Sequence, residues 1–336
     1  MLKATTMKKL TSEEAKRALD LHKEAVIVDS LNASVMSDEY FRKLQKGGVT
    51  ATNYTIAMMH NMSETIKRIL DMQDMIAGEN KTVVLGTTAE DILRAKREGK
   101  TAILLGFQNI QPLENDLRLL KLYHYLGVRI IQLSYHFRNA AADGGGERID
   151  SGLSLFGISL IEEMNRLGMV VDLAHVGKQS VLEAVETSED PVIASHSNPR
   201  ALVDAHQNKT DEEIKAMAEK GGVIGVTAFP RLISKNPDET TLDNLLDCVD
   251  YVVKLVGANH VGIGLDLAEG WAEYPPTRMS LMKIDGRIYV YPREIESVTK
   301  FPNITKGLIE RGYSDAETKK ILGENFLRVF KKVFGK

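Results

Sequence analysis

A chain of 336 residues with 43% hydrophobic and 26% charged residues can bury a large core, as one α/β domain or two smaller ones. A net charge of −3 without any long basic block excludes an electrostatic footprint for nucleic acid, and the single cysteine, Cys248, excludes an intrachain disulfide and a thiolate cluster. A metal must therefore be held by imidazole and oxygen ligands. Cys248 itself reads as a small apolar residue buried on a helix. The N-terminal stretch is interrupted by charges and no apolar run approaches membrane-spanning length, so a cytoplasmic protein acting on a small molecule, with no membrane or nucleic-acid partner, is expected.

In chain order, Thr11-Ser12-Glu13-Glu14 forms a capping box that opens an amphipathic helix over 11–23. A strand follows at 26–30, with Leu31, Asn32, Ala33 and Ser34 in its exit loop. Helical spacing over 38–45 leads to a strand at 47–57, then a helix over 63–78 whose apolar face is Ile66, Ile69, Leu70, Met72 and Met75. A helix at 88–98, a strand at 101–109, a helix at 113–126 and a strand at 128–136 continue the alternation. The glycine-rich stretch RNAAADGGGERIDSG, 138–152, is long enough to suggest a working loop. After a helix over 155–167 come strands at 169–175 and 191–197, a helix at 211–220, a strand at 221–229, a helix at 242–256, a strand at 260–267, and helices at 303–311 and 314–334.

Eight short apolar strands thus alternate with helices, with no linker or composition break between them. Continuous apolar runs mean strands covered on both faces. The predicted fold is α/β, a single (β/α)8 TIM barrel forming one domain over 1–336, with the N-terminal helix and the helices of 303–334 packed on the barrel. A doubly wound sheet is the alternative, weakened because no G-x-G-x-x-G sits at a strand-to-helix turn.

In such a barrel the polar residues at the strand exits share one mouth. They are Asp29 and Asn32, Asn53 and Tyr54, Gln108 and Asn109, His136, His175, His196 and Ser197, Thr227, and Asp266. His175 and His196 can share one divalent ion, whose bound water would lose its proton to a nearby carboxylate, or each can simply cap its own strand by local hydrogen bonds. Asp266 is the strongest single candidate, because an ionised carboxylate ending an apolar strand needs a partner. Gln108 can bond neighbouring backbone and His136 can be packing. Asp172 is expected to point away from the mouth and to be structural. His22, His60, His124, His206 and His260 are expected to be surface or locally bonded groups.

GGVTATNYTIA, GVRIIQLSYHFRN, GLSLFGISLIEEMNRLGMVVDLAHVG, PVIASHSNPRAL, KGGVIGV, HVGIGLDL and RGYSDAETKKILGENFLRVF give the chain a collinear resemblance to the renal, or membrane, dipeptidase family, peptidase family M19. That resemblance implies a barrel of the metallo-dependent hydrolase type with two zinc ions bridged by a glutamate, hydrolysing dipeptides and related amides. It implies that His175 and His196 bind one zinc, that Asp266 serves in proton transfer beside the other, and that His136 lies at or beside the group that holds the scissile carbonyl. Tyr54, Asn139 and Asn208 are the expected substrate contacts. Family members commonly dimerise, so a homodimer is also implied.

The departures from the family pattern fall on the metal site. Where the family has D-G-H-N-D, this chain has Asp29-Ser30-Leu31-Asn32-Ala33, so two ligands are gone. The bridging glutamate is replaced by Gln108, the arginine that receives the substrate carboxylate by Gln207, and the second aspartate of D-F-D by Ala268. The expected metal ligands reduce to His175, His196, Gln108 and Asp266, holding one divalent ion, zinc foremost with manganese or cobalt as alternatives, and no second zinc. The expected activity is metal-dependent hydrolysis of a small dipeptide-like amide, with Asp266 and His136 as catalytic groups. Two alternatives stand beside it: a degenerate barrel that binds without hydrolysing, and a metal-free enzyme using Asp266 and His136.

Overall fold

The structure, a computed structural model, describes residues 10–78, 81–270 and 290–335. Among these, nine parallel strands form one sheet: β1 (Val28–Asn32), β2 (Ala51–Ala57), β3 (Val83–Leu85), β4 (Thr101–Phe107), β5 (Val128–Gln132), β6 (Val170–Asp172), β7 (Ile193–Ala194), β8 (Val223–Val226) and β9 (Val261–Ile263). The strand order is β2-β1-β9-β8-β7-β6-β5-β4, and β2 pairs again with β4, closing eight strands into a barrel with helices around it. The chain folds as a (β/α)8 TIM barrel. All eight expected strands are in the ring.

β3 was not anticipated. It pairs with the first half of β4, Val83 with Thr101 to Leu85 with Ile103, and β5 takes over that edge from Leu105 onward. Three residues are too few to display a period of two.

Inside the ring, Val28, Ala51, Ala102, Leu104, Ile130, Val170, Ile193 and Val223 form one buried cluster with Phe326, Phe330 and Phe334 of the C-terminal helix Asn325–Val333 and its cap. Phe330 and Phe334 stack with centroids 4.8 Å apart. These rings plug the barrel floor, and Gly262 is glycine because a Cβ there would lie 2.3 Å from the Phe326 ring. With the floor sealed by apolar packing, polar strand residues are left to the opposite end. Ser30 marks the transition: its hydroxyl spans the barrel to the carbonyls of Ser195, 2.6 Å, and Ile263, 3.0 Å.

The outer helices follow their caps. The Thr11–Glu14 capping box forms as expected and starts the helix Ser12–Glu24. The segment expected as one helix over 113–126 starts later, at Arg118, because Glu114 and Asn115 adopt left-handed backbone. Near the C-terminus the expected single helix over 314–334 is interrupted by a π-helical segment, Lys320–Glu324, where Gly323 passes so close to β1 that a Cβ would lie 2.4 Å from the Val26 carbonyl oxygen.

Candidate active site

Three of the expected site residues share an unusual backbone. His136, His175 and Asp266 have φ of 64°, 60° and 57°, and among the described non-glycine residues only Glu114 and Asn115 join them in the left-handed region. Each lies just beyond the end of a strand, β5, β6 or β9, where the ladder stops and the chain turns across the mouth. Left-handed backbone costs an L-residue of order 1–3 kcal/mol, and such strain clusters at functional sites.

His175 and His196 meet at the mouth, their Nε2 atoms 2.7 Å apart. The groups behind them fix which nitrogen carries each proton. Asp172 accepts the backbone N–H groups of Ala174 (3.0 Å) and Ser195 (2.9 Å) on Oδ1 and the Ser195 hydroxyl on Oδ2 at 2.5 Å. Ser195 has thus given away its only proton, so at 2.7 Å it must accept one from His196 Nδ1. His196 therefore presents an unprotonated Nε2 to the mouth.

His175 is held from the other side. Arg231 donates to Gln207 Oε1 at 3.0 Å, which orients the Gln207 amide so that its Nε2 donates to His175 Nδ1 at 2.8 Å. The His175 proton then sits on Nε2 and points at His196. One directional chain runs from Arg231 through Gln207, His175, His196 and Ser195 to Asp172.

Both rings are buried, and burial is the main reason each stays neutral. His196 is pushed down to about 3, and His175 well below the ordinary imidazole range, by loss of solvent and then by neighbouring cationic groups including His136 and Lys209. Lys209 is itself buried behind the pair, bonded to the Val176 carbonyl at 2.7 Å and 3.6 Å from Glu213. His136, down to about 4 chiefly through burial, packs its ring 4.4 Å from that of His175, with Tyr135 4.5 Å from His175. His206, expected to be only a surface group, lies with its ring 5.8 Å from His136.

Carboxyl groups occupy the β1–β9 side. Asp29 is fully buried, accepts from Leu265 N at 2.9 Å and from Asn32 Nδ2 at 3.1 Å, and is raised to about 7 by burial. Asp266, half-buried, is raised to about 8 by burial first and by the Asp29 charge second, and no described residue donates to its carboxylate. Its backbone carbonyl accepts the Tyr291 hydroxyl.

The glycine-rich loop forms a wall of the mouth. A Cβ on Gly144 would lie 2.2 Å from the His136 carbonyl carbon, and one on Gly145 would lie 2.5 Å from the His206 carbonyl oxygen. Gly145 N donates to the His175 carbonyl at 2.6 Å. Three consecutive glycines let this loop press against the backbone that carries the imidazoles.

Residues 14–278 and 282–334 match the family model for membrane dipeptidase, peptidase family M19. The chain belongs to that family. It is 31% identical over 284 residues to dipeptidase tcpJ of Claviceps purpurea, an alignment covering 84% of this chain and 63% of the relative, so the chain spans less than two thirds of that protein's length. Among solved structures it is similar to an amidohydrolase from Pseudomonas aeruginosa, with TM-score 0.89 and 34% identity over 95% of this chain and 99% of the other. The probable dipeptidase PvdM from the same organism shares the fold, with TM-score 0.82 and 24% identity over 97% and 99%.

Set in the M19 frame, the expected residues separate. His136, His175 and His196 come together. Asp266 does not close a coordination-sized cluster with the imidazoles: among the described residues no three His, Cys, Asp or Glu side chains converge that way. The Gln108 side chain is buried and no described residue bonds to it. Asn139, expected to touch substrate, is spent on the loop, bonding Leu133 O, Asn109 Oδ1 and the backbone N–H groups of Ala141 and Ala142. Asn208 is likewise used by Asn198 N and the carbonyls of Val203 and Leu232. Tyr54, two residues from Ile56 on β2, belongs to the outer cluster and lines a pocket of about 130 Å³ with Met36, Arg68, Met72 and Met75, between the barrel wall and the helix Met62–Ala77. Its ring lies in the wall of the barrel, which corrects the expectation of a substrate contact.

Sequence reasoning missed Ser195 and Arg231, and it set Asp172 aside as a residue turned from the mouth. The DLAH and SHS motifs contained the first and third of these. A carboxylate and a hydroxyl at matching strand ends, next to the two histidines, were the available signal.

Proposed function

We propose that this chain hydrolyses small dipeptide-like amides, using one divalent ion at His175 and His196 and Asp266 as its proton carrier. Membership of peptidase family M19 implies a divalent-metal dependence. The observation that carries the reading is the convergence of the two Nε2 atoms at 2.7 Å, with Asp172 and Ser195 leaving the His196 lone pair directed at the shared point. The donors fit one ion and not a bridged pair: two neutral imidazoles converge, while Leu31, Ala33 and Gln108 offer no anionic ligand. An ion held there, zinc foremost or else manganese or cobalt, supplies a Lewis acid and an acidified water when bound.

The chain's own groups account for the remaining work. Asp266, raised to about 8 at a half-buried strand end, can take a proton near neutral pH and return it to a leaving amine. His136, neutral and at the edge of the imidazole cluster, is placed to donate to a substrate carbonyl oxygen. Metal analysis combined with an amidase and dipeptidase panel tests this. Less than about half an equivalent of ion bound after loading, together with turnover that survives His175→Ala and His196→Ala, would sink it.

A second reading is supported by the same hydrogen-bond chain, which satisfies both imidazoles without any ion: a barrel that binds such ligands and does not cleave them. Ligand-induced thermal shifts with no turnover, with and without added metal, would favour it.

A further inference from the structure

Arg231 stands in the short helix Pro230–Ile233 that follows β8. Among the described residues its guanidinium makes one hydrogen bond, from Nη2 to Gln207 Oε1 at 3.0 Å, and has no carboxylate within ion-pair distance. Its Nε is buried with no partner at all. Arg311 shows what this fold ordinarily does with a buried guanidinium: Asp243, Asp247 and Asp250 surround it at 2.6 to 2.8 Å. Burying an unpaired cation is costly, and a guanidinium left with free, forked N–H groups matches a bidentate carboxylate.

Its position gives that vacancy a use. Gln207 joins Arg231 to His175 Nδ1, so the guanidinium stands two hydrogen bonds from the imidazole pair, and it acts electrostatically on His136, His206 and Tyr135. In an amide cleaved at the imidazoles, a carboxylate on the carbon next to the leaving nitrogen lies a short reach beyond the carbonyl.

We propose that Arg231 receives a substrate carboxylate, and that the amides accepted here carry it on the carbon attached to the leaving nitrogen, as an α-amino acid does. This rests on the hydrolase reading above. It revises the expectation, drawn from Gln207 alone, that a free carboxylate has no receptor in this chain: the guanidinium comes from the loop after β8 and uses Gln207 as its support.

Binding, separated from turnover, tests it. The ketomethylene isostere of alanyl-alanine and its C-terminal carboxamide are titrated calorimetrically into the metal-loaded native chain, Arg231→Gln and Arg231→Lys, with thermal unfolding to confirm that each variant is folded. The native chain should bind the carboxylate about tenfold to a hundredfold tighter than the carboxamide. Arg231→Gln should abolish that difference by weakening the carboxylate alone, and Arg231→Lys should keep part of it. If both probes bind the native chain equally, or Arg231→Gln keeps the preference, the assignment of Arg231 is overturned while the hydrolase reading stands. If neither probe binds, both fall together.

Discussion

Asp172 governs the ring of His196 without touching it. Ser195 lies between them, 2.5 Å from the Asp172 carboxylate and 2.7 Å from His196 Nδ1, and it can satisfy both only by donating to one and accepting from the other. Burial raises Asp172 while the hydrogen bonds from Ser195 and Ala174 and the nearby Lys209 ammonium oppose that rise, favouring the charged form on which this direction depends.

Removing the intermediary should therefore loosen His196 as a ligand without emptying the mouth. Ser195→Ala is expected to weaken divalent-ion affinity about tenfold to a hundredfold, as loss of a group orienting a ligand usually does. Zinc competition titration measures it. Unchanged affinity would show that Asp172 and Ser195 only brace the barrel.

Stoichiometry separates a one-ion centre from a two-ion one. With Leu31, Ala33 and Gln108 where anionic donors would be needed, the loaded protein should hold at most one equivalent of zinc, and His175→Ala or His196→Ala should remove it. Mass spectrometry under native conditions, finding two tightly held ions, would contradict this directly.

Asp266 makes a prediction about pH. Its folded value, about 8, lies above the ordinary 3.8, so the folded state binds this proton more tightly than the unfolded state. Its contribution to stability is present at low pH and is lost as pH rises towards 8. Asp266→Asn removes the titration, so in chelator its unfolding midpoint should exceed that of the native chain by about 1–3 °C at pH 9, with a smaller difference at pH 5. Activity should fall by about 10²–10⁴-fold in the same variant. An equal change in midpoint at both pH values would mean that Asp266 is not perturbed as described.

Gly144→Ala places a methyl group 2.2 Å from the His136 backbone, which must move to admit it. We expect a loss of about 1–3 kcal/mol by denaturant unfolding and reduced ligand binding, because His136 shifts with its backbone. A neutral outcome would show the glycine-rich loop to be slack.

The barrel was legible because its strands are apolar on both faces, and the runs ending at His175, His196 and Asp266 each announced a polar residue at an exit. Other parts were hidden for physical reasons. The helix Lys178–Thr187 went unread because Gly177 provides no side-chain cap; Asp150 supplies it from the glycine-rich loop, accepting from Gln179 N at 2.6 Å. Arg231 was invisible because its significance lies in what is missing around it, and an absent counter-ion has no sequence signal. Tyr54 and Asn53 are neighbours in the sequence, but β2 sends them to opposite faces. Only Asn53 turns inward, where its Nδ2 donates to the Ser30 carbonyl at 3.0 Å.

The left-handed backbone at His136, His175 and Asp266 allows a different kind of comparison. Glycine at any of these three positions would adopt the same turn without steric penalty, so for stability alone the chain would be better with glycine there. Two imidazoles and a carboxyl group stand in those places instead, and the neighbouring loop gives up three side chains in succession to fit around them. The mouth is thus the region where this barrel is furthest from its own stability optimum, which identifies it as the region where protein engineering for robustness and protein engineering for activity would pull against each other.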